Sequence, residues 1–132
     1  MENKVSKELA WHRLEQAKED IMACDLLYNG RLYKSANNRA YYAIFHSIRS
    51  VLALEPIDFK RHKDVIAYFN KNYIKTEIFS RKMGSKIAQA KTIREDCDYD
   101  DEYKPSAEKT MQQIETAKEL IDMVEDFLKK KI

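Results

Sequence analysis

Apolar residues recur along this chain at steps of three and four, and the pattern divides it into five helices. Ala10, Leu14, Ala17, Ile21, Cys24 and Tyr28 form the first stripe, with Ser6 placed to cap its start and Gly30 to stop it. A turn over Arg31 to Lys34 leads to a second helix from about Ser35 to Leu54, which Pro56 closes. Val65, Ile66, Tyr68 and Phe69 suit a shorter third helix between Lys60 and Asn72. A fourth, from Ser80 to Cys97, is carried by Met83, Ile87, Ala90, Ile93 and Cys97, and ends in an acidic segment around Tyr99. The fifth opens near Pro105, a residue suited to the first helical position, and continues through Met111, Ile114, Ala117, Ile121, Val124 and Leu128 to a Lys-rich end that complements the helix dipole. Short connections make the long helices antiparallel neighbours. The pattern therefore predicts an all-α, up-and-down four-helix bundle with the short helix lying across one end. No repeat, low-complexity tract or linker interrupts it, so residues 1–132 are expected to form one domain.

On a wheel at about 100° per residue, the second helix sorts its side chains into two arcs. Ala40, Tyr41, Ile44, Phe45, Ile48, Val51 and Leu52 make the core face, and Arg39, Tyr42, Ala43, His46, Ser47, Arg49 and Ser50 lie opposite. Arg39 and His46 fall only about 20° apart, at a rise of about 10 Å. A guanidinium and an imidazole on one polar stripe can bind and process a phosphodiester: Arg is a permanent bidentate phosphate clamp, and His moves protons near neutral pH. On spacing alone, two side chains decorating a wet face is the plainer reading.

Composition agrees with helices. Gly and Pro occur twice each, and the rest is rich in residues that lose little on entering a helix. With 44% of residues hydrophobic, the 35% that are charged read as solvated faces and not as disorder. The longest strongly apolar run, Ala40 to Phe45, is far short of the roughly 20 residues of a membrane span, and the opening MENKVSKELAWHR has no apolar leader core. No membrane association is expected, and the expected compartment is the cytoplasm. Cys24 and Cys97 lack the spacing of a zinc or redox motif and are expected to be reduced packing residues.

The net charge of +2 does not by itself announce a nucleic-acid partner, but the charges are segregated. Residues 60–94 hold ten Lys or Arg against Asp64 and Glu77, and residues 95–102 hold six acids. A basic half attracts phosphate through counterion release; a charged surface with an acidic turn is the plainer reading. The acidic run lacks the glycine and final Glu of a calcium loop, and His12 has no ligand companion at metal-binding spacing, so no metal or cofactor is expected.

The segment SANNRAYYAIFHSIRSVL resembles the helix of the HEPN superfamily that carries its Arg-x(4–6)-His motif, here with six residues between Arg39 and His46. Two further pieces are similar to the branch of small stand-alone HEPN proteins, which includes UPF0332-like proteins and HepT-like toxins: His62 in RHKDVIAYF, and Arg94 with Asp98 and Tyr99 in IREDCDY. The resemblance runs from about Leu9 to Leu128. It implies a metal-independent endoribonuclease acting as the toxin of a toxin–antitoxin or defence pair, a homodimer in which two such helices line one cleft, an RNA substrate and a minimal nucleotidyltransferase as antitoxin. Arg39 would stabilise phosphate charge and His46 would act as acid or base, with a 2′,3′-cyclic phosphate as product. Asn38, Tyr42, Arg49, His62, Arg94, Asp98 and Tyr99 would bind substrate or support the pair. Ala40 stands where the toxins often carry a polar residue after the motif Arg, with Asn38 before it instead. The resemblance is also compatible with a non-catalytic module that binds a nucleotide or docks a nucleotidyltransferase through the same stripe.

Overall fold

The apolar stripes close on one another around the second helix. A computed structural model describes residues 4–57, 59 and 61–131. Among them the order is α1 (Lys4–Asn29), α2 (Tyr33–Leu52), α3 (His62–Phe69), α4 (Arg81–Tyr99) and α5 (Ala107–Lys131), with no strand. No described helix is long and apolar enough to cross a membrane. Leu14 from α1, Ile44, Ile48 and Val51 from α2, Met83 and Ile87 from α4, and Leu120, Val124 and Leu128 from α5 are at most 1% exposed and build the core.

Cross-helix bonds fix the directions. Ser50 Oγ donates to the Ala10 carbonyl at 2.6 Å, and at the other end of the pair the Cys24 thiol reaches the Ala36 carbonyl, so α1 and α2 are antiparallel. Lys18 pairs with Glu125 and Asp25 with Lys118, which sets α5 antiparallel to α1. Lys86 of α4 meets Glu119 of α5 at 2.9 Å, while Lys34 at the start of α2 donates to the Asp100 and Asp101 carbonyls just past the end of α4. The result is the expected up-and-down four-helix arrangement, with α3 in the connection from α2 to α4.

Several boundaries move for local reasons. Ser6 lies inside α1 and does not cap it. Gly30 follows the last residue of α1, but the left-handed position is Arg31 (φ 61°): Arg31 N–H donates to Tyr28 and Leu32 N–H to Leu27, closing the helix end with a doubled turn. The turn is shorter than expected. α2 starts at Tyr33, whose ring packs 5.5 Å from Tyr28 and whose carbonyl accepts from Asn37 Nδ2. Pro105 precedes α5 and is not its first residue; Ser106 Oγ caps the helix by accepting from Lys109 N–H. Ser80 caps α4 in the same way, accepting from Met83 N–H at 3.1 Å, and α4 runs on to Tyr99.

Lys60, the expected start of the third helix, lies outside the described residues. α3 begins at His62 and passes directly into a π-helical turn, Asn70–Ile74, in which Lys75 N–H reaches the Asn70 carbonyl. This turn covers the end of the bundle where α2 and α5 finish: Tyr73 hydroxyl donates to Glu55, and its ring meets Phe127 edge-on at 5.9 Å.

Gly84, inside α4, sits against that turn. A methyl group placed there would lie 2.7 Å from Ile74 Cγ2, the stiff branch of a buried side chain. Gly84→Ala gains up to about 1 kcal/mol of helix propensity but overpacks a contact worth roughly 1–3 kcal/mol, so a net destabilisation of about 1 kcal/mol is expected in urea unfolding. A variant as stable as the wild type would mean that Ile74 moves aside at no cost.

Candidate functional site

α2 is the central helix, and that changes the meaning of its polar arc. Twelve of its twenty residues are buried, on both arcs of the wheel, because α1 packs on the side opposite the apolar face. Ala43, Ser47 and Ser50, small enough to let α1 approach, are fully buried, and both hydroxyls are spent on backbone carbonyls. The arc is therefore not a wet face. Arg39, Tyr42, His46 and Arg49 are the members that reach its edge.

Arg39 and His46 meet on a residue that sequence reasoning missed. Asp20 of α1 is 8% exposed, and its two carboxylate oxygens are divided between them: Oδ1 accepts from Arg39 Nη1 at 3.1 Å, and Oδ2 lies 2.8 Å from His46 Nδ1. A carboxylate buried this deeply is costly unless charge and hydrogen bonds compensate it, and here one carboxylate receives both. Because an ionised carboxylate only accepts, the contact selects the His46 form with its proton on Nδ1, leaving Nε2 on the far side of the ring as an acceptor. Asp20 uses one of the five N–H donors of the Arg39 guanidinium. No other described residue hydrogen-bonds to Arg39, and its side chain is 45% exposed. A signal for Asp20 exists in the sequence: it stands three residues after Ala17 and four before Cys24, on the buried stripe of α1.

A second layer of cations and rings lies beside this triad. The Arg39 guanidinium is 5.5 Å from the centre of the Tyr42 ring, and Arg94 of α4 sits 5.6 Å from the same centre and donates to the Tyr42 hydroxyl at 3.3 Å. Arg94 also lies 5.0 Å from the Tyr41 ring and pairs with Asp98 at 3.5 Å, so it is held by rings and a carboxylate together. His62, the first residue of α3, stacks on Phe45 at 3.9 Å and 23° and meets Tyr42 edge-on at 6.3 Å. Arg49 lies 5.9 Å from Phe45 and accepts, through its carbonyl, a hydrogen bond from Arg13. Partial burial against these groups pushes the His62 imidazole below its ordinary pKa, and the positive charges of Arg94 and Arg49 push it the same way.

Of the nine residues singled out from sequence, the fold thus joins Arg39, Tyr42, His46, Arg49, His62, Arg94 and Asp98 in one cluster. Asn38 is half-buried, and its Oδ1 has no hydrogen-bond partner among the described residues. Tyr99 stands apart: it is 84% exposed at the end of α4 and makes no side-chain hydrogen bond or ring contact with the cluster among the described residues. Phe45, read from the wheel as core alone, is 4% exposed and is also the platform for His62. The two cysteines are free and buried, and burial pushes the Cys24 thiol up to about 12, which keeps it protonated.

Comparisons with known proteins agree with this architecture. A protein of Methanocaldococcus jannaschii named "putative toxin" is 31% identical over 127 residues, covering 96% of this chain and 94% of its own length. A second protein of that organism with the same designation is 32% identical over 87 residues, 66% of this chain and 59% of its own. A Thermotoga maritima protein named as a UPF0332 protein is 27% identical over 118 residues, covering 89% and 88%. The family model described as the HEPN domain matches residues 10–129, a span that contains every member of the Asp20, Arg39 and His46 cluster. This chain therefore belongs to the HEPN domain family.

Proposed function

We propose that this protein is a metal-independent endoribonuclease that serves as the toxin of a toxin–antitoxin or defence pair. The observation that carries the proposal is the single buried carboxylate of Asp20 holding both Arg39 and His46. That arrangement supplies what transesterification of RNA requires. The 2′-hydroxyl gives its proton to His46 Nε2 and attacks the adjacent phosphorus; the bond from phosphorus to the 5′-oxygen breaks with its pair going to that oxygen, which takes up a proton from an acid or from water, leaving a 2′,3′-cyclic phosphate and a 5′-hydroxyl. Arg39, anchored through one N–H, turns the rest of its guanidinium to the oxygens that gain charge at phosphorus. Arg49 and Arg94 add positive charge along the path of the strand, and Tyr42 offers a ring to a base.

The toxin role is supported by the designation of the Methanocaldococcus relatives. The reading includes a homodimer acting in the cytoplasm and a minimal nucleotidyltransferase as the neutralising partner.

Incubation of wild-type, Arg39→Ala and His46→Ala protein with RNA in EDTA tests the catalytic part. Wild type is expected to leave cyclic phosphate ends, and each substitution to slow cleavage by about 10²- to 10³-fold. Cleavage that is absent from the wild type, or undiminished in both variants, sinks the assignment. RNA bound but uncut would leave a binding module.

A further inference from the structure

Two imidazoles, not one, face the ring of Tyr42: the centres of His46 and His62 each lie 6.3 Å from it. Both also flank Phe45, at 6.2 Å for His46 and 3.9 Å for His62, so the two imidazoles are at most about 10 Å apart. They differ in what holds them. Nδ1 of His46 is committed to Asp20, while among the described residues His62 has ring neighbours but no hydrogen-bond or ion-pair partner, and it is exposed. Phe45 and Tyr42 fix the plane of the ring and leave its nitrogens to whatever enters the site.

We infer that His62 is the general acid of the cleavage, protonating the departing 5′-oxygen while His46 of the same chain takes the proton from the 2′-hydroxyl. This rests on the ribonuclease reading above and completes it within one protomer. A base and an acid on opposite sides of one phosphate must each come within roughly 3 Å of their own oxygen, which places two imidazoles several ångströms apart with the phosphorus between them. The upper bound of about 10 Å set through Phe45 keeps both imidazoles within reach of one phosphate. Electrons and protons balance: the bond from O2′ to phosphorus forms, the bond from phosphorus to O5′ breaks with its pair going to O5′, His46 ends protonated and His62 neutral. Solvent then restores both. Arg94 and Arg49 press on His62 from α4 and α2, and they, with His46, favour release of its proton. Asp98, paired with Arg94, moderates that field.

A change of leaving group tests the role. The wild-type protein, His62→Gln and His46→Ala are each given an RNA oligonucleotide and the same oligonucleotide with sulfur replacing the 5′-bridging oxygen at the linkage the wild type cuts. A thiolate leaves readily without a proton, having a conjugate acid of pKa near 8.5. His62→Gln is expected to slow the oxygen substrate by about 100-fold or more and the sulfur substrate by less than about threefold, whereas His46→Ala slows both. Equal losses of His62→Gln on the two substrates, or no loss on either, overturn the acid role and leave the ribonuclease reading intact. A wild type inert on both substrates overturns that reading and this inference together. Thermal unfolding of His62→Gln near the wild-type midpoint separates lost chemistry from lost fold.

Discussion

Asp20→Asn lowers RNA cleavage by about 10³- to 10⁴-fold, more than the loss of either side chain that Asp20 holds. The amide keeps the shape of the carboxylate and its place on the α1 stripe, so the helix pair should close as before. What changes is the chemistry of both contacts. An amide can present an N–H to His46 Nδ1, which drives the proton to Nε2 and turns the nitrogen that should accept from the 2′-hydroxyl into a donor. A wrong tautomer forfeits the share of His46, about 10²- to 10³-fold, and the loss at Arg39 adds to it. The amide also carries no charge, so the 3.1 Å contact to Arg39 loses its ionic part and the guanidinium, already 45% exposed, is free to turn into solvent. Rates measured under single-turnover conditions, with circular dichroism to certify the fold, give the answer; activity within tenfold of wild type would remove Asp20 from the mechanism.

The same carboxylate predicts non-additivity. If Asp20 acts by setting His46 and Arg39, then Asp20→Asn placed in a His46→Ala background has only the Arg39 contribution left to lose. Residues that act as a unit cannot each be charged the full cost.

How much of this was legible in the sequence depends on whether a property belongs to one helix or to two. The spacing of Arg39 and His46 belongs to α2 alone, and the wheel placed them on one stripe. The burial of Ala43, Ser47 and Ser50 does not, since a wheel ranks small and hydroxylic residues as polar, while an approaching helix treats them as room. Asp20 was hidden for the same reason: an acid on an apolar stripe is a conflict within α1, resolved only by partners 19 and 26 positions away on α2. The start of α4 at Ser80 was readable from the apolar steps through Met83 and Ile87, while the cap that Ser80 Oγ makes to Met83 N–H emerged only with the fold. The π-helical turn was not readable, because its bonds span five residues while the apolar pattern through Tyr68, Phe69 and Tyr73 fits an ordinary helix as well. At the α1–α2 turn, the glycine drew attention that belonged to Arg31.

Phe79→Ala destabilises the protein by about 3–5 kcal/mol, and the midpoint of thermal unfolding falls by roughly 10–20 °C. Phe79 is 2% exposed, and its ring meets those of Phe69 at 5.2 Å, Phe127 at 5.4 Å and Tyr73 at 6.2 Å, so its removal strips one wall from three aromatic neighbours at once. Its backbone N–H is bonded to the Tyr73 carbonyl at 2.8 Å, just past the left-handed Glu77 (φ 62°) and just before the Ser80 cap, which leaves little freedom for the chain to collapse into the space. A cavity that cannot close costs the transfer energy of the ring and the lost contacts around it. Domains are stable by about 5–15 kcal/mol, so the loss is a large share of the whole. The consequence reaches the site, because this cluster joins the segment after α3, which carries His62, to the start of α4, which carries Arg94. Phe79→Leu, which keeps most of the apolar volume, should cost well under half as much in the same thermal unfolding measurement, and a Phe79→Ala loss below about 1 kcal/mol would mean that the cluster relaxes into the gap and does not anchor the two helices.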